Sequence, residues 1–293
     1  MPLDFEPINL EMQDEYLKTF SVSPQKTSDY SFTNLLGWSE EYGLRWAWSN
    51  QLVWIKQTIP EENFWAPVGP WEAVDWDRCV SSCFNGQTPF IRIPENLLEI
   101  WKGNIGQRII VEETRGDWDY LYSVSDLVEL RGNRFHKKKN LLNQFRKKYD
   151  FKYIPFGPEI IDMAKGMQED WCTWRDCESS EALSAENRAI SRTLNQWEKL
   201  EGIIGGAIMV NEEMAAYTIA ESLSEEMLVI HFEKGGPSYK GVYQAINQMF
   251  LEHSGNKFKT VNREQDLDNE GLRKSKLSYN PTGFLKKYRV ILK

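Results

Sequence analysis

The fold is decided by residues 202–253, which read GIIGGAIMVNEEMAAYTIAESLSEEMLVIHFEKGGPSYKGVYQAINQMFLEH. Three short apolar runs bounded by polar turns predict β-strands. They are residues 202–210, 215–221 and 227–232. A glycine-bearing loop follows at residues 234–238. The last segment predicts a helix from Tyr239 to His253, because its apolar residues recur every three to four positions. The stretch therefore reads strand, strand, strand, loop, helix.

The segments on either side of this stretch extend the pattern. Before it, helices are predicted at Pro158–Trp174 and from Ser184 to about Leu200. After it come a strand at Thr260–Arg263, a short helix at Glu270–Lys276 and a final strand at Tyr288–Leu292. The second half of the chain therefore reads α-α-β-β-β-loop-α-β-α-β.

The first half has a similar order with weaker signals. A hairpin is predicted from residues 44–48 and 52–56, and an extended piece follows at 64–68. Further strands are predicted at 89–93 and 108–112, with helices at 76–84 and 97–101 between the later strands. Because hairpins open both halves, a fully parallel, doubly wound sheet is not expected. The predicted fold is of the α+β or α/β class, with two tandem units that each contain a mixed sheet flanked by helices.

The predicted domains follow from this order. Residues 1–125 form a first, degenerate unit, residues 126–155 a basic connecting helix, and residues 156–293 a second unit that carries the candidate active site.

Composition excludes several classes of protein. Of 293 residues, 41% are hydrophobic and 27% charged, which is typical of a globular chain and excludes a largely disordered one. The formal net charge of −8 excludes a uniformly basic nucleic-acid-binding protein, although not a local basic patch. The longest apolar run, Ile203–Val210, is far below the roughly 20 residues that span a bilayer. The N-terminal nine residues lack the pattern of a secretion signal. We therefore expect no transmembrane segment and a cytoplasmic location.

The four cysteines are Cys79, Cys83, Cys172 and Cys177. None forms a CxxC pair, and spacings of four and five residues are loose for zinc ligands. We therefore expect small buried thiols and no metal site.

A strongly basic segment runs from Arg131 to Lys152. It contains nine basic residues and one acidic residue, Asp150, whereas the rest of the chain carries 26 basic and 42 acidic residues. On a helix, Phe135, Leu141, Leu142, Phe145 and Tyr149 gather on one side, and Lys137, Asn140, Asn143, Gln144 and Lys147 lie roughly opposite. Such a face suits contacts with phosphates. The candidate polyanion-binding residues are Arg131, Arg134, Lys137, Lys138, Lys139 and Lys147. The alternative is a solvated connector that balances an acidic body.

Three parts of the chain resemble a known family. They are residues 31–38 (SFTNLLGW), residues 130–145 (LRGNRFHKKKNLLNQF), and a third part made of residues 231–234, 239–248, 262–266 and 272–279. These parts are similar to the phosphatidylglycerol lysyltransferase C-terminal domain family, which is built as two tandem units of the GNAT acyltransferase fold. Members fused to a membrane flippase domain move an aminoacyl group from charged tRNA to a lipid head group. This chain most resembles the stand-alone soluble members, whose substrates are unassigned.

The resemblance implies that the loop before the long helix holds the anionic end of an activated donor. Glycines allow backbone N–H groups to approach an anion, and a helix N-terminus adds partial positive charge. The candidate donor-binding residues here are Lys234, Gly235, Gly236, Tyr239, Lys240 and Gly241. The GNAT pyrophosphate loop reads Gln/Arg-x-x-Gly-x-Gly/Ala. The loop here departs from that pattern, because it offers only Gly241 and contains Pro237, which has no backbone N–H. We therefore do not expect ordinary acetyl-CoA binding. The alternative is that this loop binds no anion and is only a turn that changes the direction of the chain before the helix.

Carboxylates beside this loop are the candidates for catalysis. Glu264, Asp266 and Glu233 are each able to accept a proton from an attacking amine or hydroxyl. Tyr279 is able to donate a proton to a leaving group. Arg263 is predicted to hold a carboxylate or phosphate, and Arg273 and Lys276, three residues apart on a short helix, to bind an anion together. Each of these residues has a purely structural alternative. Arg263 would pair with a glutamate and join strand to helix, Tyr279 would only pack, and Arg273 and Lys276 would be solvated surface cations. His231 is expected to be a satisfied core residue.

The predicted function is transfer of an acyl or aminoacyl group to an amine or hydroxyl. No cofactor is assigned; the donor substrate is aminoacyl-tRNA or acyl-CoA, and the acceptor a small molecule or lipid head group. Two alternatives remain open. One is a CoA-dependent N-acetyltransferase, and the other a non-catalytic module that binds tRNA or another anion.

Overall fold

The computed structural model describes residues 3–84 and 86–293. The chain forms two compact units. The first unit contains residues 1–119, 265–269 and 284–293, and the second contains residues 120–264 and 270–283. Both units are therefore discontinuous in sequence, because the chain returns to the first unit twice near its C-terminus.

The described residues contain fourteen strands. They are β1 Glu6–Pro7, β2 Arg45–Ser49, β3 Leu52–Gln57, β4 Asn63–Trp65, β5 Pro89–Pro94, β6 Ile109–Glu113, β7 Asp119–Ser123, β8 Phe151–Pro155, β9 Ile203–Val210, β10 Glu213–Ser222, β11 Met227–Gly235, β12 Thr260–Asn262, β13 Gly283–Leu285 and β14 Lys287–Leu292.

The same residues contain ten α-helices. They are α1 Gln13–Ser21, α2 Phe32–Gly37, α3 Trp76–Cys83, α4 Glu95–Ile105, α5 Val124–Glu129, α6 His136–Lys148, α7 Pro158–Arg175, α8 Glu181–Asn195, α9 Val242–His253 and α10 Glu270–Leu277. None of the helices in this part of the chain is long and apolar enough to cross a membrane.

The first sheet has the strand order β1-β2-β3-β4-β5-β14-β6. It is mixed, because β4 and β5 are parallel whereas β2 and β3 form the antiparallel hairpin that the sequence predicts. The last strand, β14, lies between β5 and β6 and is antiparallel to both. The sequence analysis placed this final strand in the second unit, which is wrong. Local patterning identifies a strand but does not specify its distant partner.

Aromatic residues fill the core of the first unit. Six tryptophans there are fully buried: Trp46, Trp54, Trp65, Trp71, Trp76 and Trp101. Trp54 lies 5.0 Å from Phe84 between ring centroids, and Trp101 lies 5.2 Å from Phe90 in an edge-to-face arrangement. These geometries are ones that aromatic rings prefer. Packing in this core thus accounts for half of the twelve tryptophans in the sequence.

A buried ionic cluster lies in the same unit. The Lys287 ammonium contacts Asp29 and lies 2.7 Å from Asp119, and all three side chains are at most 1% exposed. Arg92 also pairs with Asp29, and its guanidinium lies 4.3 Å from the ring centroid of Trp65. Because each charge has a partner of opposite sign, the cluster can persist out of water. It ties β14 to segments more than 160 residues earlier.

The second sheet has the order β13-β7-β12-β11-β10-β9-β8. Strands β9, β10 and β11 are antiparallel neighbours, and β11 is parallel to β12. The three predicted strands, the loop and the helix α9 are all present in the expected order. α9 packs against the sheet through an apolar face that includes Ala245, Ile246 and Phe250, all fully buried. The expectation of a mixed sheet flanked by helices is confirmed for both units.

The unit boundaries differ from the predicted ranges 1–125, 126–155 and 156–293. The first 119 residues need β14 to complete their sheet, so residues 284–293 belong to the first unit. Helix α6 is not a separate connector. It packs against α9 within the second unit, with Leu142 and Phe145 buried. An amphipathic helix must bury its apolar stripe, and α9 supplies the surface.

The cysteines differ in part from the expectation. Cys172, near the end of α7, forms a disulfide with Cys177, whereas Cys79 and Cys83 are free. Spacing alone did not reveal this pair. It became possible because Asp176 has a left-handed backbone that ends α7 and brings Cys177 back towards the helix. No group of side chains suited to a metal ion occurs among residues 3–84 and 86–293.

Candidate functional site

β11 and β12 part at one end of the second sheet. Their paired register runs only from Met227/Thr260 to Val229/Asn262, after which β11 continues to Gly235 paired with β10. A register shift against β10 leaves His231 as an extra residue of β11, so His231 shares a face with Glu221, whereas Glu233 lies on the opposite face with Thr218. Arg263 and Glu264 follow the end of β12. Across the gap between the two strands, Glu233 contacts Arg263 and His231 contacts Glu264.

Glu233 and Arg263 form one contact across the gap. Arg263 Nη2 lies 3.0 Å from Glu233 Oε1, and Asn247 Nδ2 of α9 donates to Glu233 Oε2 at 3.0 Å. Both charged side chains are largely buried, at 15% and 10% exposed. Arg263 Nη1 is also buried but makes no hydrogen bond of normal geometry with the described residues. One arm of the guanidinium is therefore used by Glu233, and the guanidinium also contacts the Tyr279 hydroxyl.

His231 and Glu264 form the second contact across the gap. His231 Nδ1 lies 2.8 Å from Glu264 Oε1, and Nε2 lies 3.1 Å from Glu221 Oε2 of β10. Burial alone would lower the pKa of His231, but hydrogen bonds with the two carboxylates raise it to about 9. The imidazole is thus a cation that donates from both nitrogens. The expectation that His231 is a satisfied core residue is confirmed.

This arrangement makes stability depend on pH. Because the pKa of His231 rises from 6.5 to about 9 on folding, its contribution is complete below pH 6.5 and is lost as the pH rises towards 9. We expect the free energy of unfolding to fall by on the order of 3 kcal/mol across that range. Urea unfolding at pH 6 and pH 9 measures the fall, and His231→Gln should show a clearly smaller one. An equal fall in both proteins would contradict this assignment.

Tyr279, which follows α10, packs against Arg263. The guanidinium lies 4.8 Å from the centroid of the Tyr279 ring, and the Lys138 ammonium of α6 lies 3.9 Å from the same centroid. Gln244 Nε2 donates to the Tyr279 hydroxyl at 3.2 Å. Burial raises the pKa of Tyr279, so the phenol keeps its proton at neutral pH. The structure therefore brings together Glu233, Arg263, Tyr279 and Lys138, which were predicted separately.

Two other predicted residues near the gap hold its backbone. Glu264 has a left-handed backbone, with φ of +55°, and its N–H donates to Asn262 Oδ1 at 2.8 Å. Lys276 Nζ donates to the carbonyl oxygen of Arg263 and lies 3.5 Å from that of Glu264. Lys276 therefore fixes a turn that few L-residues adopt readily. Arg273 is half-buried on α10, and its pairing with Lys276 on one anion stays a prediction.

Asp266 belongs to the first compact unit. It is fully buried, 3.4 Å from Arg115 Nη1, and accepts a hydrogen bond from the Asp268 N–H at 2.9 Å. A carboxylate held in this way stabilises a loop. The three carboxylates were predicted beside the same loop, whereas Asp266 belongs to the first unit and Glu264 and Glu233 belong to the second.

Lys234 lies on the opposite face of β11 from Glu233. Its ammonium pairs with Glu186 of α8 at 2.7 Å and lies 3.9 Å from the ring centroid of Trp171 in α7. The side chain is only 7% exposed, and burial lowers its pKa. Lys234 is therefore engaged by Glu186 and Trp171, and its part in donor binding stays a prediction. The alternation of side chains along β11 explains why Lys234 and Glu233 have different partners.

Packing and hydrogen bonds within the protein account for much of the predicted donor loop. The N–H groups of Gly236, Tyr239 and Lys240 donate to Ala215 O, Gly236 O and Tyr149 Oη at 2.9–3.2 Å. Gly241 has φ of +85°, and a Cβ there would lie 2.3 Å from the carbonyl oxygen of Leu141 in α6. Gly235 is closely covered by Val242. The Tyr239 hydroxyl lies 3.4 Å from Glu213 Oε2. The glycines are thus required by helix packing, and their role in anion binding stays a prediction.

The basic helix has the predicted faces. Phe135, Leu142 and Phe145 are buried, whereas the polar face is exposed to solvent. That exposed face consists of Lys137, Asn140, Asn143, Gln144 and Lys147. Arg134 pairs with Asp126 at 2.7 Å and Arg131 with Glu129 at 3.2 Å, both near the surface. Lys139 is exposed, and Lys138 alone among the six predicted cations turns inward, towards Tyr279.

Comparison with known proteins decides the family. The chain matches the family described as phosphatidylglycerol lysyltransferase, C-terminal, over residues 20–291. The chain belongs to this family. The suggested resemblance is confirmed, and the match includes every residue of the gap between β11 and β12.

Solved structures agree with the fold. A conserved protein of unknown function from Bacteroides thetaiotaomicron is 30% identical over 99% of this chain and 100% of its own, with a TM-score of 0.88. L-PGS from Bacillus licheniformis is 13% identical over 98% of this chain and 92% of its own, with a TM-score of 0.65. FemX is 8% identical over 99% and 98% of the two chains, with a TM-score of 0.61. The expectation of two GNAT-like units is confirmed.

Some residues of the gap were missed by sequence reasoning. Asn247, Gln244 and Glu221 contact Glu233, Tyr279 and His231, but none was predicted as a site residue, although Gln244 and Asn247 lie in the segment 239–248 that carries the family resemblance. One signal was present: Asn247 interrupts the apolar run of α9 and is nevertheless buried. A polar residue on an apolar helix face indicates a buried polar partner.

Proposed function

We propose that the second unit transfers an aminoacyl group from aminoacyl-tRNA to an amine or hydroxyl acceptor at the gap between β11 and β12. Membership of a lysyltransferase family supports the reaction class. The observation that carries the proposal is the convergence of Glu233, Arg263, Tyr279 and Asn247 where the two strands part. Ligands of open sheets bind where neighbouring strands separate, because backbone and side chains there face a crevice.

Glu233 is the proposed proton acceptor. Arg263 and Asn247 hold both of its oxygens in place, and neither donor gives up its proton readily. The acceptor nitrogen or oxygen attacks the ester carbonyl carbon, and Glu233 takes the proton that it loses. The carbon–oxygen bond to the tRNA then breaks, and the proton passes to the leaving hydroxyl. Glu264 is less suited, because it is held by the His231 cation. Tyr279 acts as a hydrogen-bond donor, since its raised pKa makes it a poor acid.

The exposed face of α6 is the proposed surface for tRNA. Lys137, Lys139 and Lys147 are exposed on a helix of the same unit as the gap. Cations of this kind contact phosphates without regard to sequence, and their contribution depends steeply on salt. The runner-up donor is acyl-CoA. The engaged amides of residues 236–240 and the packing role of Gly241 favour tRNA over it.

Binding of bulk aminoacylated tRNA across a salt series tests this surface. We expect affinity to fall steeply with salt, and Lys137→Gln with Lys139→Gln to flatten the slope by about one unit per lost phosphate contact. Lys102→Gln is the matched control, because Lys102 is an exposed lysine in the first unit. CoA should not compete. Equal slopes for the α6 variant and the control, or displacement by CoA, would contradict the proposed donor.

A further inference from the structure

We propose that Lys138, Arg263 and Tyr279 form a binding site for the monoanion of a phosphodiester. The site itself stands on their contacts, while the source of the phosphate rests on the proposed function. All three residues belong to the second unit.

Each of the three residues presents a donor. Lys138 Nζ lies over the Tyr279 ring and has no carboxylate within ion-pair distance among residues 3–84 and 86–293. Arg263 Nη1 is buried without a hydrogen bond of normal geometry in that same part of the chain. The Tyr279 hydroxyl accepts from Gln244, so its own proton remains available to donate. Three hydrogen-bond donors around one ring suit a ligand whose atoms only accept hydrogen bonds.

The charges of Lys138, Arg263 and Glu233 add up to one positive charge, which suits a ligand with a single negative charge. Glu233 balances Arg263, whereas Lys138 is left unbalanced. Lys138 is half-buried, and burial together with the Arg263 charge lowers its pKa. An anion beside it would be held in a medium of lower dielectric than water, where the attraction is stronger. One bound monoanion therefore restores neutrality to the group.

The geometry favours phosphate over carboxylate. Carboxylates are typically bound by both arms of one guanidinium in a plane. Here Arg263 Nη2 already uses one of its two N–H donors on Glu233, so a second carboxylate would lie beside the first one on the same guanidinium and be repelled by it. The donors that remain belong to three residues on separate segments: α6, the turn after β12 and the turn after α10. Donors from three directions suit the tetrahedral oxygens of a phosphate, and lysine binds phosphate as a point charge.

The experiment measures binding of dimethyl phosphate to the full chain by titration calorimetry. We expect Lys138→Gln to weaken binding about tenfold, as loss of a charge-assisted hydrogen bond does. Lys148→Gln is the matched control, because Lys148 lies on the same helix and over the ring of a tyrosine, Tyr149, but is exposed and belongs to neither proposed site. It should bind as the wild type does. Tyr279→Phe keeps the ring and should also weaken binding. Equal affinity of both lysine variants, or no binding by the wild type, would overturn the site.

Two further ligands separate the sources of the phosphate. The dinucleotide CpA represents the unpaired end of an RNA, and glycerophosphoglycerol represents a lipid head group. Tighter binding of one than of dimethyl phosphate assigns the source, provided that Lys138→Gln removes the gain. Loss of phosphate binding with intact aminoacyl transfer would overturn this site alone. Phosphate binding without any transfer would support the site and contradict the proposed function.

Discussion

Replacing Lys287 by Met is expected to destabilise the first unit by about 3–5 kcal/mol, which is typical when one partner of a buried ion pair is removed. The Lys287 ammonium is fully buried between Asp29 and Asp119. Without it, Asp119 keeps hydrogen bonds from Ser28 and Gln265, and Asp29 keeps its pair with Arg92, but both carboxylates lose the Lys287 charge. Methionine fits the space but cannot compensate the carboxylates. Urea unfolding at neutral pH measures the loss.

The matched control is Lys286→Met. Lys286 is the neighbouring residue, is 41% exposed and pairs at the surface with Glu95 at 3.0 Å. Surface pairs of this kind contribute at most about 1 kcal/mol. Similar effects of the two substitutions would show that the cluster around Lys287 does not hold β14 in the first sheet.

Replacing Glu233 by Gln is expected to lower the rate of aminoacyl transfer by about 10²–10⁴, the usual contribution of a positioned general base. Gln has nearly the same shape, and its one carbonyl oxygen can still accept from either Arg263 or Asn247, so most of the local structure should persist. Single-turnover transfer from charged tRNA measures the rate. Binding of tRNA should be unchanged, because Glu233 lies apart from the exposed face of α6.

Glu226→Gln is a suitable control for this effect. Glu226 precedes the same strand, is exposed and pairs with Lys259 at the surface. It should leave the rate within a factor of about two, as surface substitutions usually do. If Glu233→Gln transfers as fast as this control, the proton acceptor lies elsewhere, and Glu264 becomes the next candidate.

The strands and helices of the second unit could be predicted because their signals are local. The apolar runs at β9, β10 and β11 and the stripe of α9 each identify one element, and their order identified the fold. The position of β14 could not be predicted, since its pairing with β5 and β6 depends on residues 175 to 202 positions earlier.

The candidate site was predictable as residue types but not as an arrangement. Glu233 and Lys234 are adjacent, yet strand alternation sends one to Arg263 and the other to Glu186. Likewise, Lys138 and Lys139 look equivalent in the sequence, but only Lys138 faces Tyr279. Which face of β11 or α6 meets the gap depends on tertiary packing, which composition and spacing do not encode.

The central claim is that the second unit transfers an aminoacyl group from tRNA. The most direct test mixes excess purified protein with bulk tRNA carrying radiolabelled amino acids, with ethanolamine as a small acceptor that has both an amine and a hydroxyl. We predict that the label moves from tRNA to the acceptor in a single turnover, that CoA does not inhibit, and that Glu233→Gln abolishes the transfer. Label that stays on the tRNA with the wild-type protein, while acetyl-CoA supports acylation of the same acceptor, would contradict the account.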